Sequence, residues 1–434
     1  MSAKGGKLTE DWLPTTVVIA DFVEGALVTD PAEGLEGQAE RLEVLVRRNG
    51  RSVGMISLPV VDEGGSLNDR LIAAAEHLPS PAEAPWTKVE PPAWPKVVVA
   101  IPTVFGRLEM LRLAVASLGR LDYPDFDIVL VDNRPSPKEE EYAYVRAGTD
   151  HHVHILHESE RGISAARNRS LRDCDVPFIA FTDDDVQVDE GWLRAIIRPF
   201  LVDPNVACVS GLVIPSELAS AEQSQFEHFF GGLHRSFDPV LHSGNRPSDS
   251  DPLFPYAAGR FGAGNNMAFR VSTLKGLGGF DTSLGTGTLA RGGEDLAAFI
   301  KILLGGDAIA IEPSAVVHHS HRATTDAFRY QVFSYGVGLA AMYTALMMED
   351  RRHRRDILAR LPRALRLFVG SGNGTVKQGP SDASVPTSLR FRQAAGILVG
   401  PVLYLRSRRQ HPQGPTVPAG AGGTSKVGRA SSSG

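Results

Sequence analysis

The sequence predicts an α/β protein with a mostly parallel central sheet flanked by helices, a small β-containing N-terminal module and a helical C-terminal appendage. Two observations predict the central part: from residue 96 onward, short runs of β-branched residues alternate with helical stretches, and turn residues separate them. The chain has 434 residues, of which 42% are hydrophobic. It is therefore long enough for several such units.

Residues 1–77 are predicted to form the N-terminal module. The strand-like runs TTVVIADFV, LEVLVRR and SVGMISLPV follow one another there, and Asn49-Gly50 lies between the last two. An Asn-Gly pair between two strands is a strong hairpin signal. Residues 78–95 are dense in proline and are predicted to be a semi-rigid linker.

Residues 96–345 are predicted to form the main α/β domain. Its first strand-like runs are Val97–Ile101, Ile128–Val131, Val153–Leu156, Phe178–Thr182 and Val206–Val213. Helical stretches between them indicate βαβ units, and in such sheets ligands bind at the carboxyl ends of the strands. These strand ends are where we expect the chemistry.

Residues 346–410 are predicted to be a basic helical appendage, and residues 411–434 a disordered tail. Pro362 is expected to end the first arginine-rich helix at Leu361, because proline lacks the amide hydrogen that a helix interior needs. Two interpretations of the basic helices stay open. They lie on an anionic membrane surface, or they pack on the main domain with a solvated basic face.

The composition bears on partners and location. The chain has 45 Lys and Arg against 50 Asp and Glu, so nucleic acid is not an expected partner. Two cysteines favour a reducing cytoplasm, and the first residues lack the apolar segment of a secretory signal. The apolar run Ala394–Leu405 is shorter than the roughly 20 residues that cross a bilayer. We expect a cytoplasmic protein, either free or at the inner face of the cell membrane.

Asp183, Asp184 and Asp185 directly follow the strand-like run FIAFT. Adjacent carboxylates repel one another, and a divalent cation such as Mn²⁺ or Mg²⁺, bound together with diphosphate oxygens, offsets that repulsion. In extended backbone Asp183 and Asp185 point to the same side, which makes them the candidate ligands. A helix N-terminus or a solvated acidic loop explains the triplet equally well.

Glu294 and Asp295 open a predicted helix after Gly292-Gly293. Acidic residues in a first helical turn commonly interact only with the helix dipole. The glycines before them, however, allow the backbone to approach a ligand closely. A carboxylate in that position can take a proton from an attacking hydroxyl group.

Two further groups are candidates for binding. His319 and His321 share a face if the backbone is extended, and imidazole is a suitable ligand for Mn²⁺, although a structural role is as well supported. Asp132 ends the run IVLVD, and Arg167 lies in a predicted helix after the third strand-like run. Together Asp132 and Arg167 outline a nucleotide pocket, whereas each alone is equally explained as a turn or solvated residue.

These motifs, in this order, resemble the family 2 glycosyltransferases of the GT-A fold, a Rossmann-like α/β fold, over about residues 96–340. The pieces are VVVAIPTVFGR, IVLVDN, ERGISAARNRSL, FIAFTDDDV, GAGNNMAFR followed by GLGGFD, GGEDLAAFIKIL and VVHHSHR. The resemblance implies a metal-dependent, inverting transfer of a sugar from a nucleotide-sugar donor to a hydroxyl acceptor, which is a glycan, a lipid-linked molecule or a small molecule. A processive synthase is disfavoured, because the sequence lacks the Q-x-x-R-W motif of that group.

The resemblance also implies roles for individual residues. The nucleotide-sugar would contact Thr103, Arg107, Asp132, Arg167, Asp183 and Asp184. The metal would be held by Asp185, Asp183, His319 and His321, and the DDD triplet leaves the division of roles among its three members open. Asp295 would be the base that deprotonates the acceptor, and Glu294 would support its geometry.

Two other functions stay open from the sequence. One is a sugar nucleotidyltransferase, which usually carries a Gly-rich loop with Arg and Lys after the first strand, unlike IPTVFGRLE. The other is a non-catalytic nucleotide-sugar-binding protein. The N-terminal module is not part of the usual catalytic domain and indicates no function by itself.

Overall fold

The computed structural model describes residues 13–31, 39–61, 65–230, 236–245, 252–370 and 387–411. The predicted disordered tail lies outside the described residues from 412 onward. The strands are β1 (Thr15–Val23), β2 (Ala26–Leu27), β3 (Arg41–Arg48), β4 (Arg51–Pro59), β5 (Val97–Thr103), β6 (Phe126–Asp132), β7 (Val153–His157), β8 (Phe178–Thr182), β9 (Val186–Val188), β10 (Val206–Pro215), β11 (Glu217–Leu218), β12 (Val240–Ser243), β13 (Asn266–Arg270) and β14 (Ala308–His319).

The helices alternate with these strands in the main domain and dominate the C-terminal part. They are α1 (Leu67–Ala75), α2 (Leu108–Leu118), α3 (Glu139–Arg146), α4 (Ile163–Arg172), α5 (Trp192–Val202), α6 (Ala221–Phe230), α7 (Val271–Gly276), α8 (Glu294–Leu304), α9 (Thr325–Glu349), α10 (Arg351–Gly370) and α11 (Thr387–Gln410). Two short 3₁₀ turns cover Pro85–Thr87 and Ala258–Arg260.

The main sheet has nine strands in the order β12-β14-β10-β13-β8-β5-β6-β7, with β9 beside β14. The pairs β5–β6, β5–β8, β6–β7 and β10–β14 are parallel, and β13 runs antiparallel between β8 and β10. Alternate residues of β5 enter two different cores: Val99 packs in one cluster with α2 and α5, whereas Ala100 packs in the other with α4 and α8. The sheet is thus covered on both faces, which confirms the predicted α/β class.

The parallel strands bring polar residues to one edge of this sheet. β5 ends at Thr103 and β6 at Asp132, and these two residues are direct partners across the strand pair. β8 ends at Thr182, beside β5, so the three aspartates that follow it lie at the same edge. The position that the sequence predicts for the chemistry is therefore a single place in the fold.

The four N-terminal strands and β11 form a second sheet of five strands, in the order β11-β1-β3-β4 with β2 beside β1. β3 and β4 are antiparallel and joined at Asn49 and Gly50, which both have positive φ, as the predicted hairpin requires. β11 belongs to the main domain and pairs with β1. Arg47 also bridges the two parts, since it contacts Asp21 at 2.7 Å and Asp189 at 2.8 Å.

The segment 78–95 contributes to the core of the main domain. Trp86 is buried in the same cluster as β5, and its indole nitrogen donates to Glu312 Oε2 at 2.6 Å. At the other end, α9 continues across the predicted boundary between residues 345 and 346. The prediction that the arginine-rich helix ends at Leu361 is wrong, because α10 runs through Pro362. Pro362 is exposed, so water can solvate the carbonyl group that loses its partner.

Candidate active site

The end of β5 and the aspartates after β8 are joined by hydrogen bonds. The Thr103 hydroxyl donates to Asp184 Oδ2 at 2.7 Å. Arg107, four residues after the end of β5, donates from Nη2 to Asp184 Oδ1 and from Nη1 to Asp185 Oδ2, each at 2.7 Å. Asp184 and Asp185 are both buried, and these donors replace part of the lost water around them; burial still raises the pKa of Asp184.

His319, the last residue of β14, completes this first cluster. Its Nε2 lies 3.6 Å from Asp185 Oδ1, and Arg322 Nη2 lies 3.9 Å from Asp185 Oδ2. Burial by itself would raise the pKa of Asp185, but contact with His319 and Arg107 holds that pKa well below its usual range. Burial opposes protonation of His319, yet its contact with Asp185 raises the pKa of the imidazole. Asp185 is thus an ionised carboxylate surrounded by cationic groups.

A second cluster forms around the buried guanidinium of Arg167 on α4. Its Nη1 donates to Glu294 Oε1 at 2.9 Å, and its Nη2 donates to Gly264 O at 2.9 Å and lies 3.4 Å from Asp183 Oδ1. The rings of Phe181 and Phe280 also lie below 6 Å from the guanidinium carbon, at 5.8 and 5.6 Å. Arg167 therefore connects the aspartate triplet to the first turn of α8.

Glycines explain why α4 and α8 begin where they do. Gly162 precedes α4 with φ 131° and Gly293 precedes α8 with φ 89°, conformations that other residues rarely adopt. A Cβ on Gly293 would lie 2.6 Å from Gly338 O, which is too close. The close approach of α8 to α9 therefore depends on this glycine, and it places Glu294 and Asp295 at the sheet edge.

Two carboxyl groups of the second cluster hold their protons unusually tightly. Burial, reinforced by Asp295 and opposed by Arg167, raises the pKa of Glu294 to about 7. Burial, opposed by Arg167 and reinforced by Asp185 and Asp184, raises the pKa of Asp183 to about 6. Glu294 Oε2 is buried and has no hydrogen-bond partner. One guanidinium thus does not fully neutralise the acids around it.

Asp295 lies next to this cluster and is partly exposed. Its Oδ1 accepts from the amide of Leu296 at 2.8 Å, which fixes the carboxylate at the helix start. A Cβ on Gly264 would lie 2.9 Å from Asp295 Oδ2 and 3.2 Å from Arg167 Nη2. Gly264 therefore leaves room beside the second oxygen of Asp295, where a hydroxyl group can approach.

Asp132 lies at the same edge, but its carboxylate already has donors. Arg134 Nη2 donates to its Oδ2 at 2.7 Å, and the Tyr142 hydroxyl donates to the same oxygen at 2.8 Å. Burial opposes ionisation, but these hydrogen bonds keep the pKa of Asp132 below its usual value. The face of Arg134 also lies over Phe105, with 4.5 Å between the guanidinium carbon and the ring centre.

His321 is close to the other predicted ligands but has a different partner. Its ring centre is 5.0 Å from that of His319, while its Nε2 lies 2.5 Å from Glu227 Oε1 on α6. Burial lowers the pKa of His321, although Glu227 opposes this effect. The Nδ1 atoms of His319 and His321 are both buried without a hydrogen-bond partner.

The structure thus brings together at one edge of the sheet all the residues selected from the sequence. They lie in the two connected clusters and in two flanking pairs, Asp132 with Arg134 and His321 with Glu227. It also adds residues that the sequence analysis does not select, namely Arg134, Tyr142, Glu227, Gly264 and Arg322. Arg134 directly follows the motif IVLVDN, Arg322 is the last residue of VVHHSHR and Gly264 lies within GAGNNMAFR, so their positions in or beside these motifs are a usable signal. Glu227 becomes a neighbour of the site only through the tertiary fold.

The donor chemistry fits a divalent cation in part. Asp185 Oδ1, the imidazole of His319 and the carboxylate of Asp183 are ligand types that Mn²⁺ accepts. The partnerless, buried Nδ1 of His319 is a further polar atom in this group. Within the part of the chain that the structure describes, no three His, Cys, Asp or Glu side chains are already arranged around a common ligand position. A cation held here would need further oxygen ligands, which phosphate groups of a substrate supply.

Comparison with known proteins agrees with this architecture. The model of glycosyl transferase family 2 matches residues 98–276. The pre-mycofactocin glycosyltransferases of two Mycobacterium tuberculosis strains are 30% identical over 235 residues, which is 54% of this chain and 45% of each relative. The chain therefore spans less than half of the length of these relatives.

A likeness to a solved structure is weaker. A mannosyltransferase from Pyrobaculum calidifontis, in complex with GDP-Man and Mn²⁺, matches 75% of this chain and 79% of its own, with TM-score 0.42 and 18% identity. No functional conclusion follows at that score.

The sheet, with acidic residues grouped at the ends of its parallel strands, is similar to that of the GT-A glycosyltransferases. Residues 98–276 match the model of glycosyl transferase family 2, in agreement with the resemblance stated from the sequence.

Proposed function

We propose that this protein is a metal-dependent, inverting glycosyltransferase that moves a sugar from a nucleotide-sugar donor to a hydroxyl acceptor, without processive elongation. The observation that carries the proposal is the position of Arg167. Its guanidinium contacts Asp183 after β8 and Glu294 at the start of α8. A single side chain thereby joins the aspartate triplet to the first turn of α8, where Glu294 precedes the predicted base Asp295.

In the proposed reaction, Asp295 takes the proton of the acceptor hydroxyl. The acceptor oxygen then forms a bond to the anomeric carbon while the bond from that carbon to the donor phosphate oxygen breaks. The electron pair of the broken bond remains on the departing nucleoside diphosphate. A single displacement inverts the configuration of the anomeric carbon.

The charge that develops on the diphosphate requires stabilisation. Arg107 and Arg322 present positive charge beside Asp185, and both side chains are partly accessible to solvent and hence to a ligand. Asp183, Asp185 and His319 are the residues that would hold a divalent cation. Such a cation, when bound, stabilises the phosphate charge without a proton transfer.

The proposal is tested with a panel of nucleotide-sugars in the presence of Mn²⁺ or Mg²⁺, first without an acceptor and then with a panel of hydroxyl acceptors. Hydrolysis or transfer of one donor, its loss with EDTA and its recovery on addition of metal are expected. NMR of the product should show an inverted anomeric configuration. Failure of every donor to bind or turn over contradicts the proposal.

The variant Asp295→Asn separates catalysis from binding. Because general-base assistance contributes typically 10²–10⁴-fold, transfer should fall by about that factor. Donor affinity, measured by calorimetry, should remain unchanged, because the amide keeps the size of the carboxylate. Asp122→Asn, an exposed aspartate paired with Arg194, is the matched control and should retain full activity. Unchanged transfer by Asp295→Asn would remove Asp295 from the role of base.

A further inference from the structure

The outer face of α11 is apolar. Phe391, Leu398, Val402 and Leu405 are 72, 79, 52 and 42% exposed, respectively. Their spacings of seven, four and three residues place them on one side of the helix. At 1.5 Å per residue they form a stripe about 21 Å long. A contiguous apolar stripe of this kind on a protein surface marks an interaction site.

The opposite face of α11 packs against α9, so the apolar stripe faces away from α9. A Cβ on Gly396 would lie 2.3 Å from Phe333 O, and a Cβ on Gly336 would lie 2.2 Å from Gln393 O. The two backbones are therefore in direct contact. Tyr404 and Ser407 on the same inner face donate to Asp281 Oδ2 at 3.0 Å and to Ser283 O at 2.7 Å.

Positive charge surrounds the stripe. α11 contains five arginines and no acidic residue, while the whole chain has a formal net charge of -5. Arg392 lies beside Phe391, and Arg406 and Arg409 lie beside Leu405; all three arginines are exposed. The apolar stripe is thus bordered by exposed arginines of the same helix.

We propose that α11 binds the surface of an anionic phospholipid bilayer, with its axis in the membrane plane and the stripe Phe391, Leu398, Val402 and Leu405 inserted among the lipid headgroups. Among the described residues, no helix combines the length and apolar character that a membrane crossing requires. The exposed apolar side chains and the arginines beside them supply the two attractions that hold a protein at an anionic membrane surface, burial of apolar area and attraction to the headgroups. This inference goes beyond the proposed sugar transfer and does not depend on it.

The charge around the stripe shows which of two partners fits it, a lipid bilayer or a second copy of the chain. Two copies of α11 packed through their stripes would bring arginines against arginines, in either relative direction, with no acidic residue on either helix. Like charges across an interface are repulsive. Anionic headgroups, by contrast, attract each of these arginines. The lipid surface is therefore the complementary partner.

The test is flotation of the full chain with vesicles of phosphatidylcholine alone and of phosphatidylcholine mixed with phosphatidylglycerol. We expect binding only to the mixed vesicles and weaker binding at high salt. The double variant Phe391→Ser, Leu398→Ser should abolish flotation. The control Val28→Ser, Val61→Ser replaces two exposed apolar residues of the N-terminal module and should float like the wild type.

The contribution of charge is tested by Arg406→Gln, Arg409→Gln against the control Arg120→Gln, an exposed arginine of the main domain. Each arginine removed from the surface should reduce partitioning about fivefold, whereas Arg120→Gln should have no effect. Flotation that is equal for all variants, or absent with anionic vesicles, overturns the proposal. A dimer seen in sedimentation and lost only in the Phe391→Ser, Leu398→Ser variant overturns it as well, because the stripe would then bind a second copy. Sugar transfer to a soluble acceptor should be unchanged in all these variants, so failure of this inference and failure of the proposed function are distinguishable.

Discussion

The two acidic clusters at the sheet edge differ in how their charge is neutralised. Asp184 and Asp185 receive hydrogen bonds from Arg107 and Thr103, and His319 lies close to Asp185. Asp183 and Glu294, by contrast, share the single guanidinium of Arg167. The pKa of Asp185 is consequently held down, although burial raises the pKa of its neighbour Asp184, and the pKa values of Asp183 and Glu294 rise to about 6 and about 7.

This difference shows that the number of carboxyl groups in a cluster does not determine their protonation state. In the first cluster Asp185 is held ionised by its cationic neighbours, whereas burial raises the pKa of Asp184 even though Arg107 and Thr103 donate to it. The second cluster is short of positive charge, so its carboxyl groups exchange protons near neutral pH. Such a group next to Asp295 can influence the proposed base. Three substitutions test how far the two clusters are independent.

Removal of the shared cation should have the largest effect on stability. Arg167→Met leaves Glu294 buried without its ionic partner, and breaking a buried pair in this way costs about 3–5 kcal/mol. We expect a loss of that size in the free energy of unfolding at pH 8, measured with urea. The loss should be smaller at pH 5, where Glu294 is protonated and needs no counter-charge.

The double variant Arg167→Met, Glu294→Gln shows whether this reason is correct. Because it removes both charges, it should recover much of the stability lost by Arg167→Met alone. Arg169→Met on the same helix, where Arg169 pairs with Asp173 near the surface, is the control and should cost below about 1 kcal/mol. A loss at Arg167 that is the same at pH 5 and pH 8, and that Glu294→Gln does not relieve, would mean that packing rather than charge fixes the second cluster.

Glu294 alone should produce an intermediate, pH-dependent effect. Its pKa is about 7 in the folded protein, above the ordinary value of 4.5. Between these values the folded state binds the extra proton, so the contribution of Glu294 to stability is greatest below about pH 4.5 and falls as the pH rises to about 7. Glu294→Gln, compared with wild type across this range in urea titrations, should lack that decline.

The control for this effect is Glu109, whose shift has the opposite sign. Its hydrogen bonds with Arg112 and Tyr144 lower its pKa to about 2. Glu109→Gln should therefore leave the slope between pH 4.5 and 7 unchanged. If wild type and Glu294→Gln show parallel curves over this range, the proton on Glu294 is not held as the structure indicates.

Much of this edge could be predicted because it depends on order along the chain. The β-branched run before the aspartates predicts a buried strand, and parallel strands deliver their carboxyl ends to one side of the sheet. Local pattern alone therefore places Asp132 and Asp183 together, whereas Thr103 is selected through the family resemblance. The start of α8 at Glu294 followed in the same way from Gly292-Gly293.

The pairing within the edge could not be predicted, because it depends on side-chain geometry. Nothing in the sequence indicates that Arg167 contacts Glu294, or that Tyr142 satisfies Asp132. His321 and Glu227 meet only because α6 packs near the end of β14. At Pro362 the local rule predicts too much: proline is expected to end the helix, but the helix continues because the carbonyl group that loses its partner faces water.

The smallest expected effect concerns the hydrogen bond from Thr103 to Asp184 in the first cluster. Thr103→Val keeps the shape of the side chain but removes the hydroxyl that donates to Asp184 Oδ2 and accepts from the amide of Phe105 at 2.9 Å. Asp184 retains its bond from Arg107, so the loss should be about 1–2 kcal/mol in the free energy of unfolding. Thr103→Ser keeps both hydrogen bonds and should lose less than Thr103→Val. If Thr103→Val instead costs as much as Arg167→Met, then Asp184 depends on the threonine hydroxyl as strictly as Glu294 depends on its guanidinium, and the contrast between a well-supplied and an under-supplied cluster fails.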